Sequence, residues 1–226
     1  MNTDEGVIKF SVQQAHRSTL YLSKFHQEKL AELTAWRKVL FKMDLIGCDI
    51  SRYGACYGNV SMRYIEADHF EFRSEKPKGS RAFLITGTQT GHLENLTVEN
   101  YVRVYRYDYA HNKIHAEGPV LPSSESLTHG AIYDLPLELN IRYVFHAHTP
   151  PLWQAARRLE IPTTSETVAY GTPEMAEEVQ RLFHDTDLKE KKILSMGGHQ
   201  DGIISFGSTA DEAGTAISDY LARASE

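Results

Sequence analysis

The stretch Val144-Phe145-His146-Ala147-His148 places two histidines two positions apart in an apolar and aromatic run. On a β-strand, side chains at positions i and i+2 point to the same face, about 6–7 Å apart along the chain. Two imidazoles in this arrangement can bind one metal ion. Pro150 and Pro151 follow, so the pair is predicted to lie at a strand end, where a pocket can open. Spacing alone leaves a second interpretation open, since histidines on polar strand faces often bind nothing.

The composition is that of an ordinary globular protein. The chain has 226 residues, of which 41% are hydrophobic and 24% charged, and this length suffices for one substantial domain. Its net charge of −6 argues against a nucleic-acid partner, which requires a basic face. No apolar run approaches the ~18 residues of a membrane span. Because no repeat or linker divides the chain, we predict a single domain over residues 1–226, with a loose segment over residues 1–15.

The N-terminus and the cysteine content both predict a cytoplasmic protein. Residues 1–9 are polar and acidic and lack the apolar core of a signal peptide. Cys48 and Cys56 are the only cysteines. This low number fits a reducing compartment and predicts no disulfide framework.

Two loops adjoin predicted strands and could bind an anion. Gly58 and Asn59 precede a strand, and there both backbone N–H groups and the Asn59 amide could face a ligand. Thr90 and Gly91 end a loop rich in glycine and threonine, where hydroxyls donate hydrogen bonds and glycine permits close approach. Each loop is also consistent with a plain structural turn.

A helix is predicted from about Glu125 to Leu135, with Ser123 or Ser124 as its N-cap. A helix N-terminus offers free N–H groups to an anion, although two serines and a glutamate are also what any helix start prefers. Glu125 and His129 are four residues apart and therefore share a helix face. His129 is as consistent with packing or hydrogen bonding as with metal ligation.

A third histidine lies in the glycine-rich turn Gly197-Gly198-His199-Gln200-Asp201-Gly202, between two predicted strands. Three imidazoles with one open position are the pattern of catalytic zinc. His146, His148 and His199 are therefore candidate metal ligands. Glu125 could act as a displaceable fourth ligand or as a base.

The order of these motifs resembles the class II aldolase/adducin family, which includes fuculose- and rhamnulose-phosphate aldolases and ribulose-phosphate 4-epimerase. The resemblance spans residues 54–207. Its most specific part is the Pro-Ser-Ser-Glu run, whose glutamate stands twenty-one residues before the histidine pair. The matching stretches are Gly58-Asn59-Val60-Ser61-Met62-Arg63, Leu84-Ile85-Thr86 through Thr90-Gly91, Leu121-Pro122-Ser123-Ser124-Glu125 with His129, His146-Ala147-His148, and the turn at His199.

The resemblance implies a fold and a site. The fold is α/β, a three-layer α/β/α sandwich around a mainly antiparallel central sheet. The implied cofactor is Zn2+, or another divalent metal such as Mn2+, Fe2+ or Co2+. Its ligands would be His146, His148, His199 and, in the empty site, Glu125, which also acts as the catalytic acid/base. The implied phosphate pocket comprises Asn59, Thr90, Gly91, Ser123 and Ser124.

The implied activity is retro-aldol cleavage of a carbon–carbon bond in a small sugar phosphate, through a metal-stabilised enediolate, by a homo-oligomer that is commonly a tetramer. Two alternatives stay open. One is other enolate chemistry on the same site, such as 4-epimerisation, dehydration or decarboxylation of a ketose phosphate. The other is a non-catalytic, adducin-like binding protein.

Two departures from the family pattern affect the site. In the family the third histidine is directly followed by glycine, whereas here two residues intervene before Gly202. Asp201 is therefore a second candidate for the ligand position of His199. The family aldolases also supply a tyrosine across a subunit interface to protonate the leaving group. It has no clear counterpart here, and Tyr170 is the nearest tyrosine.

Overall fold

An eight-stranded sheet forms the centre of the computed structural model, which describes residues 6–65 and 77–226. Its strands are β1 (Ser11–His16), β4 (Asn59–Arg63), β5 (Phe83–Thr86), β6 (Tyr101–Asp108), β7 (Lys113–Gly118), β8 (Tyr143–His148), β9 (Ile193–Ser195) and β10 (Gly202–Gly207). Two further strands, β2 (Gly47–Asp49) and β3 (Ala55–Tyr57), form a separate hairpin. The order across the main sheet is β1-β7-β6-β5-β4-β8-β10-β9.

Helices cover both faces of the sheet. They are α1 (Lys24–Lys42), α2 (Ser126–Tyr133), α3 (Pro150–Ala155), α4 (Pro173–Asp185), α5 (Leu188–Lys191) and α6 (Ala210–Ala224), with 3-10 turns at Val98–Asn100 and Leu137–Leu139. One hydrophobic cluster packs α2, α4 and α5 against the sheet, and a second cluster packs α1, α3 and α6 against the other face. Neighbouring strands are antiparallel except β1 and β7, which are parallel. The predicted three-layer α/β/α sandwich with a mainly antiparallel sheet is confirmed.

The alternation of side chains along β8 decides which face carries the histidine pair. Val144 lies in the cluster with α2, whereas Phe145 and Ala147 lie in the cluster with α1. Because side chains two apart share a face, His146 and His148 point to the side of Val144. The histidine pair therefore faces the layer that contains α2, the helix that follows Glu125.

Helix boundaries agree in part with the sequence. Thr172 is the N-cap of α4 and Pro173 its first residue, and the Thr172 hydroxyl accepts a hydrogen bond from the Met175 N–H. Threonine at the N-cap and proline at the first helical position are both favoured at a helix start. The N-cap of α2 differs from the prediction, since Glu125 rather than Ser123 or Ser124 occupies it.

The N-terminal segment differs from the expected loose start. Residues 11–16 form β1 and pair in parallel with β7 at the sheet edge. Burial along β1 alternates only weakly, so the strand depends on backbone hydrogen bonds and leaves little hydrophobic pattern in the sequence. Residues 1–5 lie outside the described part of the chain.

The cysteines also differ from expectation. Cys48 and Cys56 lie opposite each other on β2 and β3 and form a disulfide, where the sequence predicts none. The low cysteine count carried that prediction, and it does not reveal that the two residues meet on one short hairpin.

In the described ranges, each helix is too short or too polar to span a bilayer.

Gly214 sets the distance between α6 and α1. A Cβ added at Gly214 would overlap the Trp36 indole, whose Nε1 donates to Asp211 Oδ1 at 2.6 Å.

We expect Gly214→Val to lower the free energy of unfolding by about 2 kcal/mol through overpacking, measured by urea denaturation. The exposed neighbour Thr215 provides the control, since Thr215→Val changes the same helix without entering the interface. Equal effects of the two changes would contradict the tight contact.

Candidate metal centre

His146 and His148 occupy the end of β8 with their rings buried. Each is 1% exposed. Their Nε2 atoms are 3.1 Å apart, and the His146 Nδ1 lies 3.2 Å from the carbonyl oxygen of Ile203 on β10. That carbonyl can accept a hydrogen bond from the Nδ1–H, and in this tautomer the Nε2 lone pair is directed toward His148.

His199 reaches the pair from the turn between β9 and β10. Its ring centroid lies 5.1 Å from that of His146 and 4.8 Å from that of His148. The turn requires glycine, because a Cβ at Gly197 or Gly198 would overlap backbone oxygens of the segment from residue 164 to residue 168. The metal-binding atoms of the three histidines all lie within 4.8 Å of one another.

Glu125 completes the cluster from the start of α2. Its side chain is 1% exposed, and its Oε1 lies 3.2 Å from His199 Nδ1. Burial acts to raise the pKa of Glu125, but hydrogen bonding to His199 and the charges of His199 and His146 outweigh it and lower the pKa to about 2. The carboxylate is therefore ionised at neutral pH.

Burial controls the protonation of His148. Desolvation, reinforced by the nearby positive charges of His199, His146 and Arg52, holds the pKa of His148 well below its usual value. The ring is therefore neutral at physiological pH. A neutral imidazole is the form that binds a metal ion.

The donor set fits a divalent metal. Two nitrogens bound to one tetrahedral zinc at about 2.05 Å are about 3.3 Å apart, close to the 3.1 Å between His146 Nε2 and His148 Nε2. Three imidazoles and one carboxylate suit zinc and also iron, manganese or cobalt. These four side chains could therefore hold one such ion.

Asp201 has a different environment from His199. Its Oδ2 accepts hydrogen bonds from Arg52 Nη2 at 2.7 Å, Arg52 Nε at 3.0 Å and Tyr53 OH at 2.8 Å. The carboxylate thus fixes the turn between β2 and β3 beside the metal centre. Of the two candidates for the third ligand, the structure brings His199 to the histidine pair and directs Asp201 to Arg52 and Tyr53.

The predicted phosphate residues lie on three segments around this cluster. Asn59 begins β4 directly opposite His146 and is buried, as are Ser123 and Ser124 just before Glu125. The loop that ends in Thr90 and Gly91 begins at Gly87. There its backbone contacts the segment before the serines: Gly87 forms a β-bridge with Pro122, and the Thr88 N–H donates to the Leu121 oxygen. Asn59 and the serine segment thus adjoin the histidine cluster, and the loop that ends in Thr90 and Gly91 adjoins the serine segment.

Arg37 is a site residue that the sequence analysis missed. It is 1% exposed, and its Nη2 donates to the carbonyl oxygens of Thr90 at 3.0 Å and Gly91 at 3.1 Å. Its Nη1 donates to the Glu94 oxygen at 3.1 Å. A signal was present, because Arg37 stands among Leu30, Leu33 and Leu40 on the buried face of α1. A charged residue on an apolar helix face requires a specific partner.

Tyr170 has a supporting position. Its ring stacks on His199 with centroids 4.4 Å apart, and its hydroxyl lies 3.2 Å from the Val7 N–H and 3.3 Å from the Val7 oxygen. The side chain is buried. Tyr170 therefore orients His199, and its hydroxyl contacts the N-terminal segment.

The fold and the site together define an α/β protein with a buried three-histidine, one-carboxylate cluster that could hold a metal. A sequence model of one family, the "Class II Aldolase and Adducin N-terminal domain", matches residues 53–224. The chain belongs to the class II aldolase/adducin family. No curated protein matches it in sequence.

Solved structures share the fold at low sequence identity. A sugar-phosphate aldolase from Thermotoga maritima has a TM-score of 0.65 and 16% identity, with 89% of this chain and 94% of that chain covered. L-fuculose-1-phosphate aldolase from Thermus thermophilus has a TM-score of 0.57 and 21% identity, covering 86% and 90%. A putative aldolase/epimerase/decarboxylase from Escherichia coli has a TM-score of 0.58 and 15% identity, covering 89% and 89%.

The buried His129 predicts a loss of stability in acid. It lies 2.6 Å from Ser61 Oγ, and burial, with the charge of His146 adding to it, lowers the pKa of His129 to about 3. The unfolded chain takes up this proton below about pH 6.5. The folded chain does so only near pH 3, so the free energy of unfolding decreases between these values as the pH falls.

We expect wild-type protein to lose about 1.4 kcal/mol more per pH unit than His129→Gln between pH 6 and pH 4. Urea denaturation of metal-free protein measures this difference. His111→Gln is the control, since that side chain is 76% exposed. Parallel profiles of wild type and His129→Gln would show that His129 is protonated in the folded chain.

Proposed function

We propose that this chain is a divalent-metal-dependent carbon–carbon lyase that cleaves a small sugar phosphate by retro-aldol chemistry. The observation that carries the proposal is the buried cluster of three histidines, with Glu125 Oε1 3.2 Å from His199 Nδ1. A non-catalytic, adducin-like protein has no need for four ionisable groups removed from water, because such burial is costly without a ligand.

His146, His148 and His199 would hold the ion, and Glu125 would occupy the remaining position until substrate displaces it. A bound divalent ion supplies Lewis acidity toward a carbonyl and an adjacent hydroxyl of the substrate. Zinc is the first expectation, with manganese, iron or cobalt as alternatives. The burial of all four side chains excludes bulk water from the place where charge develops.

Glu125 would transfer the proton. In the aldol direction its ionised carboxylate removes a proton from the carbon that forms the new bond. In the cleavage direction the protonated carboxyl returns that proton to the carbon released from the broken bond. Its position at the N-cap of α2 fixes the carboxylate on rigid structure beside His199.

The substrate phosphate would bind between three segments of the chain. Asn59 offers an amide, Ser123 and Ser124 offer hydroxyls, and Thr90 and Gly91 offer a hydroxyl and a close backbone approach. Burial supports this assignment for Asn59, whose Oδ1 has no hydrogen-bond partner among the described residues. Two fold relatives, a sugar-phosphate aldolase and an L-fuculose-1-phosphate aldolase, point to the same substrate class.

One observation favours a second candidate, other enolate chemistry on the same site. Tyr170 stacks on His199 and its hydroxyl contacts Val7, so it is not positioned to protonate a departing aldehyde. Epimerisation, dehydration or decarboxylation needs the metal and Glu125 but not that tyrosine. A further fold relative is named as a putative aldolase/epimerase/decarboxylase.

We also infer that the protein is cytoplasmic and acts as a homotetramer. The family resemblance supports these assignments. Hydrophobic side chains exposed near the site, Ile50 at 70% and Leu121 at 49%, are consistent with a neighbouring subunit at this surface.

Aldehyde release from a panel of ketose phosphates tests the reaction. We expect the metal-loaded wild type to release an aldehyde from at least one of them and Glu125→Gln to reduce kcat by about 10²–10⁴-fold, because the amide cannot transfer the proton. Glu174→Gln at the start of α4 is the matched control and should keep full activity. If every carbon is retained in one product, the reaction is not an aldol cleavage, and unchanged turnover in Glu125→Gln removes Glu125 from the mechanism.

Metal analysis tests the site independently of turnover. We expect about one equivalent of divalent metal per chain in wild type and Glu125→Gln, and loss of the metal in His146→Ala, since three-histidine sites bind zinc tightly. His111→Ala removes an exposed imidazole and should keep the metal. Less than about 0.3 equivalents in wild type after metal-replete purification would rule out the metal-dependent reactions.

A further inference from the structure

A second cluster of reactive side chains lies on the β2–β3 hairpin, outside the candidate metal centre. Cys48 and Cys56 occupy opposed positions in the register and form a disulfide across eight residues of sequence. His92 Nδ1 lies 3.8 Å from Cys56 Sγ. Cys48 and His92 are exposed and Cys56 is half-buried, so small thiols and disulfides can reach the pair.

The loop closed by this pair contacts the metal centre. Tyr53 packs its ring against His148 with centroids 4.9 Å apart and donates its hydroxyl to Asp201. Arg52 binds the same carboxylate at 2.7 Å. Tyr57, next to Cys56, lies 5.3 Å from the His148 ring. Movement of the hairpin would therefore change the surroundings of a candidate ligand.

The same pair also contacts a candidate phosphate segment. The Cys56 N–H donates to Gln89 Oε1 at 3.2 Å. Gly91 packs so closely that a Cβ built on it would lie 2.9 Å from the Cys56 Cβ. Cys56 thus touches both the hairpin and the turn that contains Thr90 and Gly91.

The backbone pairing between the two strands of the hairpin is short. Three residue pairs hold β2 to β3, and the two strands form a sheet apart from the eight-stranded one. An isolated two-stranded hairpin of this size is marginally stable. A covalent link between opposed positions removes most of its open conformations.

We propose that Cys48 and Cys56 form a reversible thiol–disulfide site whose oxidation closes the β2–β3 hairpin over the metal centre and whose reduction loosens it. In reduction, two molecules of a low-molecular-weight thiol give two electrons and two protons to the pair. The S–S bond breaks, two cysteine thiols form, and the reagent leaves as its own disulfide. Oxidation by a low-molecular-weight disulfide is the reverse. In a reducing compartment, disulfides of this kind are transient and regulatory.

The test uses the full-length, metal-loaded chain equilibrated in glutathione buffers from fully reduced to fully oxidised. Alkylation of free thiols followed by intact mass measurement counts them. We expect zero thiols at the oxidised end, two at the reduced end, and a single two-electron transition between them. Limited trypsin digestion then measures how readily the hairpin opens, because cleavage after Arg52 requires the turn that contains it to open. We expect cleavage at Arg52 to be about tenfold faster in the reduced protein.

The double variant Cys48→Ser/Cys56→Ser is the control for the hairpin. It should be cleaved at Arg52 at the rate of the reduced wild type in both buffers, while cleavage at the exposed Arg223 should not respond to the redox state. A thiol count that stays at two or at zero across all buffers would overturn the proposal, as would equal cleavage at Arg52 in reduced and oxidised wild type. Neither measurement depends on catalysis, so the result is independent of the proposed lyase activity.

Discussion

The structure of the site depends on one constraint, the two-residue alternation of side chains along β8. Phe145 and Ala147 fill the hydrophobic layer with α1, so His146 and His148 must face the opposite layer. A shift of one residue in register would bury the imidazoles among apolar side chains and direct Phe145 into the metal centre. Pairing of β8 with both β4 and β10 prevents that shift. The same apolar packing that stabilises the sheet therefore positions the two histidines.

Burial gives the cluster its chemical character. Removal from water keeps His148 neutral, while the neighbouring imidazoles keep Glu125 ionised despite burial that opposes its charge. The result is a buried cluster in which an ionised carboxylate and a neutral imidazole lie side by side. Imidazole nitrogens beside a carboxylate are donors that suit a small divalent cation. The suitability of the cluster for a metal ion thus depends on its depth in the fold as much as on residue type.

Periodic and capped elements were predictable from the sequence, and features set by tertiary contact were not. The alternating run of β8 and the Thr172-Pro173 start of α4 have strong local signals. Strand β1 has only a weak local sequence signal, because this parallel edge strand depends on backbone pairing with β7. The sequence also could not decide whether His199 or Asp201 is the third candidate ligand. Asp201 accepts hydrogen bonds from Arg52 and Tyr53, and these are tertiary contacts that only the structure shows. Arg37 was visible only as an unexplained charge on an apolar helix face.

The bonds from Arg52 and Tyr53 to Asp201 have a consequence for how this site can diversify. The histidines stand on or between strands of the large sheet, whereas Arg52 and Tyr53 belong to a short hairpin outside it. The histidine cluster and the turn that contains Arg52 and Tyr53 thus belong to separate structural elements. Insertions or exchanges in this turn can change the surface beside the cluster while the sheet and its histidines stay intact. One scaffold of this design can therefore give rise to enzymes of different specificity through changes in a few loop residues.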